Sequence, residues 1–416
     1  MRASVIVVAH AGFHHLEDSI GSLEGGLAAG DFEVILVDNA SPDRCGDAAA
    51  ERWPGLHVIR TNRNLGFAGG VSVAAGRAFG DVLILLNDDA AAEEGFVEAH
   101  LQVLADNPQA AATAGRLTSW DGSRHDFVRG GVTFDTHAFQ LGQGRPVGEV
   151  DPPAPGDPLP FACGGNMAMY RRDWEILGGF DDGLFAYFED VDLGWRVWAA
   201  GREVVAAPEA VARHRGSATS AGLGDFRRGV LFERNALRTF FAVADDDCRA
   251  AFGAAVLATF LHRLSAFAEV QPELAAATAD PFGGAAPSET RGQRWRRRLA
   301  EDGVVGAARH LAARILLGPR VGAPALAEGH FLMQLRAADG FFAGLGDTEM
   351  RRQRISSSRT VPDREILARF PRLVVPTYPG DEEFFASAAF RGMLPEGWPV
   401  EHRTLDEILH RSLRGG

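Results

Sequence analysis

The sequence predicts an α/β protein: a mostly parallel sheet with helices on both faces, followed by a mainly helical C-terminal region. Three observations carry this. Through residues 1–118, short apolar runs alternate with segments of helical spacing, as in parallel strands joined by crossover helices and buried on both faces. Two of those runs end in acidic residues, where ligands bind in an open parallel sheet. From Asp225 onward, long stretches of helical periodicity take over.

The elements follow in order. Ser4–Ala9 reads as a buried first strand, and Phe13–Leu23 as a helix through Leu16, Ile20 and Leu23. Glu33–Val37 is a second strand ending at Asp38, Leu56–Arg60 a third, and Val82–Leu86 a fourth ending at Asn87. Further helices lie between these strands, and another spans Glu93–Asp106. Six prolines in residues 142–160 make a loop, because proline fixes φ and removes a ladder donor; it suits a lid and a surface insertion equally. Asp190–Ala200 has helical spacing through Val191, Trp195 and Trp198, and Val204–Ala207 reads as a strand. Phe226–Val243, Arg249–Val270 and residues 299–345 read as helices, with a Pro, Gly and Arg break at 280–298. Residues 360–416 carry more prolines and one apolar run, Arg372–Val375. The expected division is residues 1–224, 225–284 and 285–416.

At 416 residues the chain exceeds one ordinary core. A net charge of −13 argues against general nucleic-acid binding, which needs a basic face. There is no lysine, so all 42 basic side chains are arginines. Their planar forks suit diphosphates, although compositional bias accounts for most of them. Cys45, Cys163 and Cys248 are odd in number and widely spaced, which fits no disulfide framework and suits a reduced cytoplasmic compartment. No stretch of about 20 apolar residues suggests a membrane span.

Two acidic clusters and one histidine carry the chemistry. Asn87-Asp88-Asp89 closes a buried strand; adjacent carboxylates there repel each other, and Mg²⁺ or Mn²⁺ would relieve the cost. The same residues would also cap a helix. Phe188-Glu189-Asp190-Val191-Asp192 puts three acids behind an aromatic run at a helix start. The helix dipole favours acids there, and an aromatic wall can turn one of them into a general base. His214 lies between Arg213 and Arg215, which tilts it toward an anionic ligand or a metal already held by carboxylate.

Six motifs in order resemble family 2 glycosyltransferases, nearest the bacterial rhamnosyltransferase-like and galactofuranosyltransferase-like branch. They are Val-Asp-Asn-Ala-Ser at 37–41, Asn-Leu-Gly-Phe-Ala-Gly-Gly at 64–70, Leu-Asn-Asp-Asp at 86–89, Gly-Gly-Phe-Asp-Asp at 178–182, Tyr-Phe-Glu-Asp-Val-Asp-Leu at 187–193, and His214. The resemblance spans roughly residues 3–240. It implies a GT-A fold, a nucleoside-diphosphate sugar donor, a divalent metal, Mg²⁺ or Mn²⁺, and inversion at the anomeric carbon. It also implies residue roles. Asp38, Asn64, Gly66 and Asp88 would face the donor, and Asp89 and His214 would hold the metal. Asp190 would be the base, with Glu189 orienting the acceptor, and Gly164, Gly165 and Asn166 would line the acceptor side. Arg234 is a candidate for the diphosphate. The branch suggests a deoxyhexose on a thymidine nucleotide (TDP) or a furanose on a uridine nucleotide (UDP), passed to a glycan, lipid-linked or small-molecule acceptor. His10-Ala11 and Ser72 depart from the family's usual residues on the donor side, which leaves the nucleobase open.

Two other readings remain. A sugar-phosphate nucleotidyltransferase would need a glycine-rich loop with a basic residue after the first strand, where this chain has Ala9-His10-Ala11-Gly12-Phe13. A non-catalytic carbohydrate-binding protein would not need acids at 89 and 190. Further on, residues 250–270 suit a buried helix better than a membrane-docking one. Arg294-Trp295-Arg296-Arg297-Arg298 suits a solvated helix face and a contact with anionic lipid or an acceptor phosphate equally. Peripheral contact with the inner face of the membrane and self-association are both compatible with the sequence.

Overall fold

The computed structural model describes residues 2–216, 224–266 and 323–408. Strands β1 (Ala3–Ala9), β2 (Glu33–Asp38), β3 (His57–Arg60) and β4 (Val82–Leu86) form the expected parallel set, in the order β3-β2-β1-β4. Every residue of β1 and β4 is buried, so both faces of the sheet are covered, as parallel strands require. Ala9 pairs with Asp38, and Ile6 with Leu85. The register therefore brings Asp38 and Asn87 to one rim.

In the second half of the sheet only the strand at Val204–Ala207 was expected from the sequence. Beyond β5 (Ala90–Ala92) come β6 (Ala110–Ser119) and β7 (His125–Phe127), then a separate antiparallel ribbon of β8 (Arg129–Val132) and β9 (Ala138–Leu141). β10 (Asn166–Tyr170) lies antiparallel between β4 and β6, and β11 (Glu203–His214) runs parallel to β6. β6 opens Ala-Ala-Ala-Thr-Ala-Gly, residues of low strand propensity that burial between neighbours overrides. β11 runs past the expected Ala207 to His214 and carries that side chain to the edge strand β5. Residues 142–160 are a loop, as expected, and part of it covers β11: the Gly156 and Leu159 amides donate to the carbonyls of Ala206 and Val204, each at 2.9 Å.

The expected helix Phe13–Leu23 is instead α1 (Phe13–Ser19), a 3-10 turn and α2 (Glu24–Ala29). Gly21, Gly25 and Gly26 weaken a continuous helix there. Next come α3 (Cys45–Arg52), α4 (Gly66–Ala75), α5 (Phe96–Asp106), α6 (Arg171–Leu177) and α7 (Glu189–Ala199). α5 begins later than expected because residues 90–92 become β5 and Gly95 takes a left-handed conformation.

The helical C-terminal region begins with α8 (Gly224–Val243) and α9 (Asp246–Ala266) and continues with helices Ala323–Ala343, Leu345–Ser358 and Asp363–Arg369. α9 buries Phe252, Ala255, Val256 and Phe260 and leaves Leu257 and Leu261 exposed. One hydrophobic core runs from β1 through α8 and α9 to Ile366, Phe385 and Phe390. Among the described residues, no helix is long and apolar enough to cross a membrane. The expected boundary at 285 and the arginines at 294–298 lie outside the described residues.

Candidate active site

On the expected donor side, Asp38 sits just beneath the rim. Its carboxylate accepts from the Ser41 amide at 2.9 Å and the Gly46 amide at 3.3 Å, which shapes the loop after β2. The neighbouring Asn39 ties that loop to the next one. Its amide group donates to Asn64 Oδ1 at 3.1 Å and to the Gly66 carbonyl at 2.9 Å, and its Oδ1 accepts from the Leu65 amide at 2.9 Å. Gly66 has φ +73°, and a Cβ there would lie 2.2 Å from the Phe185 carbonyl oxygen; only glycine fits. Asn64 and Gly66 thus join the donor-side loop to the aromatic run that precedes Glu189.

Asp88 and Asp89 are buried where β4 ends. Asp89 Oδ1 lies 3.0 Å from His214 Nε2, and the Asn87 side-chain amide lies 3.2 Å from the same nitrogen. The other ring nitrogen of His214 meets Asp126 Oδ2 at 2.5 Å. Burial disfavours a charged imidazole, but the hydrogen bonds and charges of Asp126 and Asp89 outweigh it and push His214 up to about 10. Burial likewise opposes charge on Asp126, yet His214 holds its carboxyl below the usual range. Arg213 pairs with Glu93 at 2.7 Å; Arg215 pairs with Asp18 at 2.5 Å and stacks 3.6 Å over the Trp120 ring.

The Asp89–His214 pair fits a divalent cation. Two ligands about 2.1 Å from one ion, at right angles, stand about 3.0 Å apart, and these atoms are 3.0 Å apart. An Asp126 acceptor on Nδ1 selects the tautomer with a free lone pair on Nε2. Among the described residues, no group of three or more His, Cys, Asp and Glu side chains is arranged to hold a metal, so the pair would form part of a coordination shell.

The expected acceptor side is built on a turn at Gly164-Gly165. The Gly164 amide donates to Asp190 Oδ2 at 3.1 Å, and the Gly165 carbonyl accepts from the Asn87 amide at 3.2 Å. Two adjacent residues therefore link the two acidic clusters. Asp190 also accepts from the Val191 amide at 2.8 Å. Burial raises both carboxyls of the Glu189–Asp190 pair, and the charge of Asp190 adds to the rise at Glu189. Among the described residues, Glu189 Oε2 is buried with no hydrogen-bond partner. Asn166, expected beside the acceptor, instead lies fully buried. Its amide group donates to the Arg116 and Ala210 carbonyls, each at 2.9 Å, and its Oδ1 meets His100 at 2.9 Å. It stitches three strands together and does not reach the cleft.

Just before Glu189, Phe185, Tyr187 and Phe188 have φ of 67°, 68° and 73°, a conformation costing about 1–3 kcal/mol each in bulky residues. α8 holds them there. Asn235 donates to the carbonyls of Leu184, Ala186 and Tyr187 at 2.8–2.9 Å. Arg234, expected on the donor diphosphate, is buried and donates to the carbonyls of Gly183 at 2.8 Å and Leu184 at 3.1 Å. Burial, with the nearby charge of Arg238, pushes its guanidinium down to about 9. It clamps this loop.

Residues 4–177 match the model of Glycosyl transferase family 2. The chain carries a family 2 glycosyltransferase domain. It is 29% identical over 237 residues to an N-acetylglucosaminyl-diphospho-decaprenol L-rhamnosyltransferase of Mycobacterium tuberculosis (strain ATCC 25618 / H37Rv), which covers 50% of this chain and 75% of that protein. It is 30% identical over 196 residues to the O-antigen biosynthesis protein RfbC of Myxococcus xanthus, covering 45% of this chain and 15% of that one. Among solved structures, GalNAc-T7 with UDP, GalNAc and Mn²⁺ aligns at a TM-score of 0.47 and 17% identity, over 77% of this chain and 58% of that chain. A mannosyltransferase of Pyrobaculum calidifontis with GDP-Man and Mn²⁺ aligns at 0.42 and 18%, over 83% and 87%. The glycosyltransferase has the α/β architecture that the sequence predicts, with an antiparallel strand at the centre of its sheet. Sequence reasoning missed three residues of the site: Asn39, Asp126 and Asn235. Asn39 stood inside a quoted motif and could have been found. Asp126 lies 88 positions from His214 and carries no local signal.

Proposed function

We propose that the glycosyltransferase is an inverting, divalent-metal-dependent enzyme that moves a sugar from a nucleoside-diphosphate donor to an acceptor hydroxyl. One observation carries this: the Gly164-Gly165 turn joins Asp190 to the end of β4, where Asp89 meets His214 of β11. A base and a candidate leaving-group site thus share one rim. Asp89 and His214 would hold Mg²⁺ or Mn²⁺, with diphosphate oxygens and water completing the shell. When bound, the ion would offset charge on the departing diphosphate. Asp38, Asn64, Gly66 and Asp88 would shape the nucleoside side.

Asp190 takes the acceptor proton as the hydroxyl oxygen attacks the anomeric carbon opposite the leaving group. Its raised affinity for a proton suits that task. The amides of Gly164 and Val191 fix its oxygens. Glu189, whose Oε2 has no partner among the described residues, orients the acceptor by taking or giving a hydrogen bond.

The similarity to an N-acetylglucosaminyl-diphospho-decaprenol L-rhamnosyltransferase supports a lipid-linked or other glycan acceptor in bacterial glycan assembly; the donor would be TDP- or UDP-linked, and the protein would be cytoplasmic, at the inner face of the membrane. Residues 1–224 would form the catalytic unit, 225–284 a helical extension on it and 285–416 a further, mainly helical part. In the test, Asp190→Asn lowers transfer about 10²–10⁴-fold, while calorimetry shows donor binding close to wild type. Wild-type turnover by that variant would reject the assignment. The anomeric configuration of the product, read by NMR, tests inversion.

A further inference from the structure

We infer that residues 345–372 position the catalytic helix α7, and that Arg351 is the principal positioning residue. This rests on the reading of Asp190 as the base. The segment lies well past residues 4–177, the part matched to the family, yet it grips α7 along its whole length. Near the start of α7, Asp192 is almost wholly buried, with a side-chain exposure of 1%. It accepts from Arg351 on helix Leu345–Ser358 and from Arg196 one turn along α7, the latter at 2.7 Å. The same Arg351 lies 3.5 Å from Asp181, which starts the turn leading into the aromatic run and is also held by Arg238 at 2.9 Å. Arg351 therefore bridges the segment before Glu189-Asp190 and the segment after it.

The rest of the segment fixes the remainder of the helix. At mid-helix, Trp195 Nε1 donates to Asp363 Oδ1 at 2.8 Å, and Arg372 stacks over the same ring at 4.1 Å. At its carbonyl end, the Thr360 and Val361 amides donate to the Ala199 carbonyl at 2.8 and 3.0 Å, supplying partners that a helix end needs. Anchoring the start, middle and end of one helix from a single distant segment fixes both its axial position and its rotation. Those are the two coordinates that decide where Asp190 points. A misplacement of about 1 Å in a reacting group costs on the order of a hundredfold in rate.

The test uses the full chain with Arg351→Ala, Arg351→Lys and, as reference, Asp190→Asn. Activity is Mn²⁺-dependent release of nucleoside diphosphate from whichever of TDP-rhamnose, UDP-galactofuranose and UDP-glucose the wild type turns over. Arg351→Ala lowers kcat about tenfold to a hundredfold, with the donor KM within about twofold. Arg351→Lys recovers part of the loss, because it keeps a cation against Asp192. Hydrogen exchange, which needs no substrate, accelerates in residues 189–196 of Arg351→Ala and stays unchanged in β1 and β4. Wild-type kcat together with unchanged exchange in α7 overturns the inference. So does exchange that rises equally in β1 and β4, since Arg351 would then hold the fold as a whole. If Asp190→Asn turns over normally, the base assignment falls on its own, and the exchange result still decides whether Arg351 holds α7.

Discussion

Two histidines of this glycosyltransferase each lie between two carboxylates, and they serve different ends. His214 sits between Asp89 at 3.0 Å and Asp126 at 2.5 Å, where β4 and β11 end. His137 sits between Asp135 at 3.1 Å and Glu233 at 3.2 Å, where the β8–β9 ribbon meets α8 and α9. In both cases burial opposes the proton, the flanking acids win, and the ring is pushed up to about 10. The difference is the second cation. Arg263 donates to Asp135 at 2.9 Å and pairs with Asp381 at 3.0 Å, while the Tyr378 hydroxyl donates to Glu233 at 2.6 Å. A permanent charge closes the His137 cluster. The His214 trio depends on a proton at the position that a metal ion would take. The same three groups act as cement where a guanidinium completes them and form a candidate cation site where a strand end leaves the place to an exchangeable ion.

The largest expected effect comes from removing that permanent charge. Arg263→Ala leaves Asp381 buried without its guanidinium and Asp135 with His137 alone, and breaking such a group costs about 3–5 kcal/mol. Denaturant unfolding monitored by Trp fluorescence measures it. Because Mn²⁺ cannot replace a side chain sealed in the core, added Mn²⁺ should not restore the loss. A midpoint close to wild type, or recovery with Mn²⁺, would erase the distinction drawn between the two clusters.

A smaller effect is expected at the rim. Asp126→Asn keeps the shape of the side chain but weakens its hold on His214, so affinity for Mn²⁺ in the presence of UDP should drop about 10–100-fold. Global stability should fall by much less than in Arg263→Ala. Titration calorimetry reads the affinity. An unchanged value would mean that Asp126 does not orient His214 for a metal.

These two clusters also show what the sequence could and could not reveal. Asp38 and Asn87-Asp88-Asp89 were legible because apolar strands end on them, and strand ends of a parallel sheet share a rim. His214 was singled out by the family's order of motifs; its flanking arginines, the other cue, pair instead with Glu93 and Asp18. Asp126 was not, since its only meaning is a contact made across the sheet by β7. Strands β6 and β10 escaped notice because runs such as Ala110–Ala112 and Met167–Met169 have no alternating pattern; burial makes them strands. Arg234 and Asn166 were misplaced for a related reason. Both lie near the motifs of the site, but each donates to backbone carbonyls within the fold, and side-chain direction is fixed by packing that sequence spacing does not encode.

The smallest effect is a slope in stability with pH, and it isolates the closed cluster. His137 has a folded-state pKa of about 10, raised above its ordinary 6.5, so its contribution is complete below about pH 6.5 and fades as pH rises through 10. In that window the native state holds one more proton than the unfolded chain, and stability should fall by up to about 1.4 kcal/mol per pH unit. Glu233 works in the opposite sense: burial opposes its charge, but His137 pulls its carboxyl down to about 2, so its share is lost as pH falls from about 4.5 through 2. The His214 trio would add a slope of its own, so the measurement is a difference. Wild type and His137→Gln are unfolded in urea at intervals from pH 6 to 10, and any contribution of His214 cancels between them. The variant should be less stable at pH 6 and converge on the wild type as pH approaches 10, because the wild type loses what the variant never had. Parallel lines across the range would show that His137 carries no extra proton in the folded state, and the likeness between the two histidines would then be one of geometry alone.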